Sequence, residues 1–196
     1  MSVYPTKDQA KLVVVRHGET EWSKQGRHTG RTDIALDASG REAAIALKSH
    51  LVQMSFVLVM SSPLSRAIET SALAGFGAET KQTPDLSEWD YGAYEGRRTL
   101  DIRKERPGWS LWSDGVPGGE TAEQVGSRVD RVIALARGAG GDVLCFAHAH
   151  VLRVLAARWV GLGPQDGSIL VLDACALGEL GWERELPVIR RWNVRW

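Results

Sequence analysis

The chain is poor in cysteine: its 196 residues include two, Cys145 and Cys175. They stand far apart, each inside an apolar segment. That excludes a disulfide-framework fold and predicts buried free thiols in a cytoplasmic protein. An excess of charge of either sign is also absent, since 24 Lys and Arg face 24 Asp and Glu. The even balance argues against a general nucleic-acid or membrane-surface binder, although a local basic site stays allowed. No apolar run approaches the roughly 20 residues of a membrane span. The opening residues MSVYPTKDQAK are polar and lack the apolar centre of a signal peptide. Repeats and low-complexity linkers are missing too, and at this length one domain over residues 1–196 is expected. Tryptophan, by contrast, is abundant, with eight residues. Trp109 and Trp112 fall in a Gly/Pro-rich region, where they serve either a site-lining loop or packing.

The apolar pattern predicts alternating strands and helices. KLVVV (11–15), FVLVM (56–60) and DVLCFA (142–147) read as buried strands. Asp37 is placed to cap a helix over about 38–53. In SSPLSRAIETSALAG (61–75), Ser62 is expected to cap, Pro63 to open the helix and Gly75 to stop it. Thr121 and Gln124 form a capping box at the head of a further helix, and another follows over 150–161. Strands are expected at 168–173, 177–182 and 187–193. The segment 83–120, rich in Gly and Trp, reads as an inserted lid with one short helix near 99–104. The expected fold is α/β: a three-layer α/β/α sandwich with a mostly parallel sheet and helices on both faces.

Functional residues in such sheets gather beyond the carboxyl ends of the strands. The first strand ends in Arg16-His17-Gly18, the second leads to Arg66, and the DVLCFA strand ends in His148. Two arginines and two histidines at strand ends suit a small dianion, because the guanidinium fork binds phosphate oxygens in pairs. An imidazole can attack phosphorus and split a hard step into two. Nearby guanidinium charge keeps His17 neutral and nucleophilic. The leaving oxygen then needs a proton from a carboxylic acid. The stretch FAHAH (146–150) leaves other readings open. In an extended strand His148 and His150 point the same way, as a metal pair would. No further ligand stands at short spacing, so no metal is expected.

RHGETEWSKQGRHTG (16–30), SSPLSRAIET (61–70), LSEWDYGAYEG (86–96), GGET (118–121) and FAHAH occur in this order. Together they resemble the histidine phosphatase superfamily, also called phosphoglycerate mutase-like, over about residues 11–155. WSKQGRHTG (22–30), WSLWSDG (109–115) and LDACALGEL (172–180) are similar to its sedoheptulose-bisphosphatase and acid phosphatase branches. The resemblance implies a phosphate-monoester hydrolase with a His17 nucleophile. It implies a phosphate held by Arg16, Arg66 and His148, with Glu88 as general acid and no cofactor. Thr29 and Gly30 match the loop beside the phosphate. Ser23, His28, His150 and Arg153 are candidate substrate contacts, with His150 on the rim at a helix start. Ser23 replaces the asparagine common in mutases, and the segment between Glu88 and His148 is short for a mutase. Phosphatase is therefore favoured over phosphoglycerate mutase-type transfer, and over a non-catalytic phospho-ligand binder. The expected partner is a small phosphorylated metabolite of the sugar mono- or bisphosphate kind; the sequence does not choose between a monomer and a homodimer. One departure stands out: Ala149 occupies the place where the family usually has glycine. The arginines and lysine of 97–106 are expected to form a solvated helix face.

Overall fold

In the computed structural model, residues 10–196 are described, and the polar opening stretch 1–9 lies outside that range. Six strands form one sheet: β1 (Leu12–Arg16), β2 (Leu58–Ser61), β3 (Thr80–Gln82), β4 (Val143–Ala147), β5 (Leu177–Glu183) and β6 (Leu186–Val194). Their order is β3-β2-β4-β1-β5-β6. β1 and β4 run parallel in register from Leu12–Val143 to Arg16–Ala147. β2 pairs in parallel with both β4 and β3. β5 and β6 pair antiparallel, so the sheet is mixed.

The central strands are apolar on both faces because helices cover both. Leu12, Val14, Val143 and Cys145 face α6 (Ala122–Gly138) and α7 (Ala149–Trp159). Val13, Val15, Leu144 and Phe146 face α2 (Ala38–Leu51), with α3 (Ser65–Leu73) beside it. Caps follow the sequence: Asp37 accepts from Gly40 N–H, and Thr121 and Gln124 close their box. Segment 83–120 carries α4 (Thr99–Glu105) and α5 (Leu111–Asp114). It buries Trp89, Tyr91, Tyr94, Ile102 and Trp109 in the core shared with α6 and α7. A single turn, α1 (Glu21–Lys24), follows β1.

Two expectations need correction, and one strand was unforeseen. Residues 168–173 are not a strand; a 3₁₀ turn (Pro164–Ile169) runs into an open loop. Side chains take the carbonyls that a strand would offer to a neighbour. Arg153 donates to the Gly167 and Ser168 carbonyls, and Trp192 Nε1 to that of Val171. Ser62 does not cap α3, because Leu64 holds that position and the helix starts at Ser65. The edge strand β3 was not expected; its three residues are too few and too polar to show periodicity.

Candidate active site

β1, β2 and β4 end side by side, and their carboxyl ends carry Arg16, Ser61 and Ala147. The next residues, His17, Ser62 and His148, therefore arrive together. His17 N–H donates to the Ala147 carbonyl at 2.9 Å, tying its backbone to β4. Its ring Nδ1 lies 2.7 Å from the Gly18 carbonyl. A carbonyl only accepts, so Nδ1 carries the hydrogen and Nε2 keeps its lone pair. Burial holds the imidazole well below its usual range, and the charges of Arg66 and Arg16 act the same way. His17 is thus neutral at neutral pH with one nitrogen available as a nucleophile. Gly18 is required by packing: a Cβ there would meet the Gly40 carbonyl oxygen at 2.5 Å, where α2 begins.

His148 stands edge-on to His17, with ring centroids 5.0 Å apart. Arg66 Nε–H donates to its Nδ1 at 3.1 Å, so the proton sits on Nε2 and points to Ser62 Oγ at 2.7 Å. Burial, Arg66 and His17 keep this ring neutral too. Arg66 is fully buried. Its Nη1 donates to the Thr32 carbonyl and its Nη2 to those of Thr29 and Gly30. It therefore braces His148 and the 29–32 loop and adds charge from behind. Arg16 faces the cavity directly. Its Nη1 donates to the Leu172 carbonyl, and its buried Nε has no partner among the described residues. An anion at that point would satisfy the donor.

Glu88 reaches the site from the loop after the 3₁₀ turn Pro84–Leu86. Its carboxylate accepts from the Trp89, His150 and Val151 backbone N–H groups. It thus caps α7 from outside, and His148, at the N-cap, is relieved of that role. Burial pushes the Glu88 carboxyl up. The adjoining His150 and the Trp89 N–H outweigh it and hold the group well below its usual range.

Arg16, His17 and Glu88 line a cavity of about 310 Å³ that also includes Ser23, His28, Thr29, Ala149, His150 and Arg153, whereas Arg66 and His148 are not among its lining residues. Ser23 Oγ also contacts Glu19 and closes a capping box with Thr20. Thr29 Oγ1 donates to the Arg27 carbonyl at 3.0 Å. His28 packs at 4.7 Å against the Tyr91 ring, and burial lowers it to about 4, helped by His150. Arg153 stacks on Trp112 at 4.7 Å. Gly30 differs from expectation: it does not line this cavity, and its N–H is held by the Glu95 carboxylate. A Cβ on Gly30 would meet the Trp89 carbonyl oxygen at 2.6 Å, so glycine here serves loop packing. His148 and His150 do not form a pair. The first is held by Arg66 and Ser62, the second by Tyr91 Oη at 2.7 Å. Among the described residues no group of three or more His, Cys, Asp or Glu is placed to hold a metal ion.

A larger groove of about 700 Å³ runs past Lys24, Arg27, Arg97 and Arg98. Its cations are engaged elsewhere: Arg97 with Glu105, Arg98 with Asp101 and Lys24 with Asp37. Of the basic run 97–106, Arg97 and Arg98 precede α4, and Arg103, Lys104 and Arg106 are exposed.

A sequence profile of the histidine phosphatase superfamily (branch 1) matches residues 12–195. The chain belongs to that superfamily. This histidine phosphatase is 39% identical over 186 residues to an acid phosphatase of Mycobacterium tuberculosis, covering 91% of each chain. It is 36% identical over 188 residues to sedoheptulose 1,7-bisphosphatase of Saccharomyces cerevisiae, covering 79% of this chain and 69% of the yeast protein. The solved structure of an open reading frame of Mycobacterium tuberculosis superposes with a TM-score of 0.91 at 36% identity, covering 95% and 98% of the two chains.

Four residues of this histidine phosphatase's site escaped the sequence reading: Ser62, Thr70, Tyr91 and Glu95. Thr70 accepts from Gly18 N–H and donates to the Arg66 carbonyl, linking two site segments. Ser62 and Tyr91 orient His148 and His150, and Glu95 holds the 30–32 backbone. Their only sequence signal was position: all four lie within the blocks that matched.

Proposed function

We propose that the protein is a phosphoric monoester hydrolase that works without a metal, through a phosphohistidine on His17. The observation that carries the reading is the pair of neutral imidazoles at the strand ends, one with a free Nε2, beside the unpartnered Arg16 Nε–H and a buried carboxylate. The phosphoryl group enters between Arg16 and His17. His17 Nε2 attacks phosphorus as the ester P–O bond breaks. Glu88 is ionised in the free enzyme; a phosphate dianion beside it raises its affinity for a proton. The proton taken up with the substrate then passes from Glu88 to the leaving oxygen. In the second half, the Glu88 carboxylate removes a proton from water, the water oxygen attacks phosphorus, and the P–N bond breaks. Phosphate leaves, His17 regains its free Nε2, and Glu88 releases its proton to solvent, which restores the free enzyme. Arg16 faces the transferring group, and Arg66 adds charge from behind His148.

The likeness to sedoheptulose 1,7-bisphosphatase directs the substrate class to small sugar phosphates. A reducing, cytoplasmic setting belongs to the proposal and is supported by the buried free thiols of Cys145 and Cys175. The test is phosphate release from a panel of sugar mono- and bisphosphates in excess chelator, with acid-quench trapping of labelled enzyme. Turnover is expected to persist in chelator. In His17→Ala it should fall by roughly a thousandfold or more, with no label retained. Full turnover in that variant rejects the mechanism.

A further inference from the structure

Glu88 has a neighbour that this mechanism leaves idle. His150 follows His148 by two residues, and the first turn of α7 carries it to the Glu88 carboxylate. Its backbone N–H donates to Glu88 Oε2 at 3.1 Å, and its ring Nδ1 lies 3.8 Å from the same oxygen. The ring is tethered by the Tyr91 hydroxyl, 2.7 Å from Nδ1. Burial, with the Glu88 charge, drives Tyr91 ionisation well above its usual range, so the hydroxyl keeps its proton. A hydroxyl both donates and accepts. It donates to Nδ1 when that nitrogen is bare and accepts from it when protonated, so the tether holds in either state. The imidazole is therefore held beside Glu88 whichever way the hydrogen it shares with Tyr91 lies.

We propose that His150 is a positioning residue for Glu88: anchored by Tyr91, its imidazole governs whether the carboxyl facing the leaving group holds a proton. This rests on the reading of Glu88 as the group that handles the leaving-group proton. The other charged and titratable groups around the pair do not duplicate the role. His17, His28 and His148 are held neutral, chiefly by burial. Arg153, one turn further along α7, is engaged by the Gly167 and Ser168 carbonyls. Arg16 and Arg66 keep their charge throughout the working range. Trp112 closes the far side of the His150 ring, with centroids 5.4 Å apart, and brings no charge.

The sign is fixed by electrostatics. A positive imidazole beside Glu88 favours the carboxylate, so removing the imidazole raises the pH at which the carboxyl titrates. The experiment is carbon-13 titration of the Glu88 carboxyl, assigned with Glu88→Gln, in the wild type, His150→Asn and His150→Gln. pH profiles of kcat and kcat/KM on a sugar phosphate accompany it. In both His150 variants the Glu88 midpoint is expected to rise by about one pH unit. The limb that reports Glu88 should move to higher pH by the same amount. Tyr91→Phe, which unties the ring, should shift the midpoint in the same direction by less. An unmoved midpoint, or a rise in KM with both limbs in place, makes His150 a mere wall of the cavity and overturns the proposal. The titration needs no turnover, so an inactive variant still decides it. Full activity in Glu88→Gln would instead remove the underlying reading of Glu88, and the coupling with it.

Discussion

Each of the two central histidines has one orienting hydrogen bond that decides what it can do. His17 donates from Nδ1 to its neighbour's carbonyl and presents Nε2. His148 receives at Nδ1 from Arg66 and presents its hydrogen to Ser62. Ser62, between an apolar strand and a proline, is therefore a positioning residue for His148. Ser62→Ala leaves a buried N–H without its acceptor, at about 1–3 kcal/mol. We expect kcat to fall by roughly tenfold, since about 1.4 kcal/mol is a factor of ten in rate. KM should change little, and steady-state phosphate release will show it. A wild-type kcat would mean that Arg66 alone holds the ring.

At the scale of the element, α7 is the part on which the site turns. Its first turn holds the backbone N–H groups that grip Glu88, and its N-cap is His148. Ala149, where the resemblance led us to expect glycine, is the first residue of this helix. It is not among the residues with positive φ, so the backbone has no need of glycine there. Ala149→Gly should lower stability by less than the about 0.5–1 kcal/mol that glycine costs in a helix interior, because the position is the first of the helix. It should leave kcat/KM within about twofold of the wild type. Urea unfolding and initial rates measure the two effects. A large gain in kcat/KM would show instead that the alanine methyl crowds the phosphate.

For the whole molecule, assembling the site stores a pH dependence in the fold. His17, His28 and His148 take up protons less readily folded than unfolded, chiefly because of burial, with His28 at about 4. Below the ordinary histidine value of about 6.5, the unfolded chain binds protons that the folded chain refuses. Stability is therefore complete above about pH 6.5 and falls as the pH drops toward the folded values. Each such histidine contributes at most about 1.4 kcal/mol per pH unit. Glu88 is lowered as well, so its contribution is present above its ordinary range of about 4.5 and is lost on further acidification. Urea midpoints, followed by tryptophan fluorescence, should hold level from pH 7.5 to about 6.5 and decline from there to pH 4.5. In His28→Gln the slope should be shallower between about pH 6.5 and 4. A flat profile would mean that these rings are solvated in the folded protein.

The sequence by itself determined the strand-helix alternation, the caps of α2 and α6 and the family. Each of these is written in local spacing: apolar runs, a capping residue three positions before the N–H it accepts from, blocks in order. It also pointed to the strand ends where His17, Arg66 and His148 meet. It failed where side chains override local pattern. The run 168–173 looks like a strand, but Arg153 and Trp192 draw its carbonyls away. Ser62 looks like a cap, but an imidazole 86 residues away claims its hydroxyl. The antiparallel pairing of β5 with β1, the outside capping of α7 by Glu88 and the tether between Tyr91 and His150 join residues far apart in sequence. Only the tertiary structure decides such pairings, because hydrogen-bond partners are chosen by distance in space, and no periodicity in one chain encodes that distance.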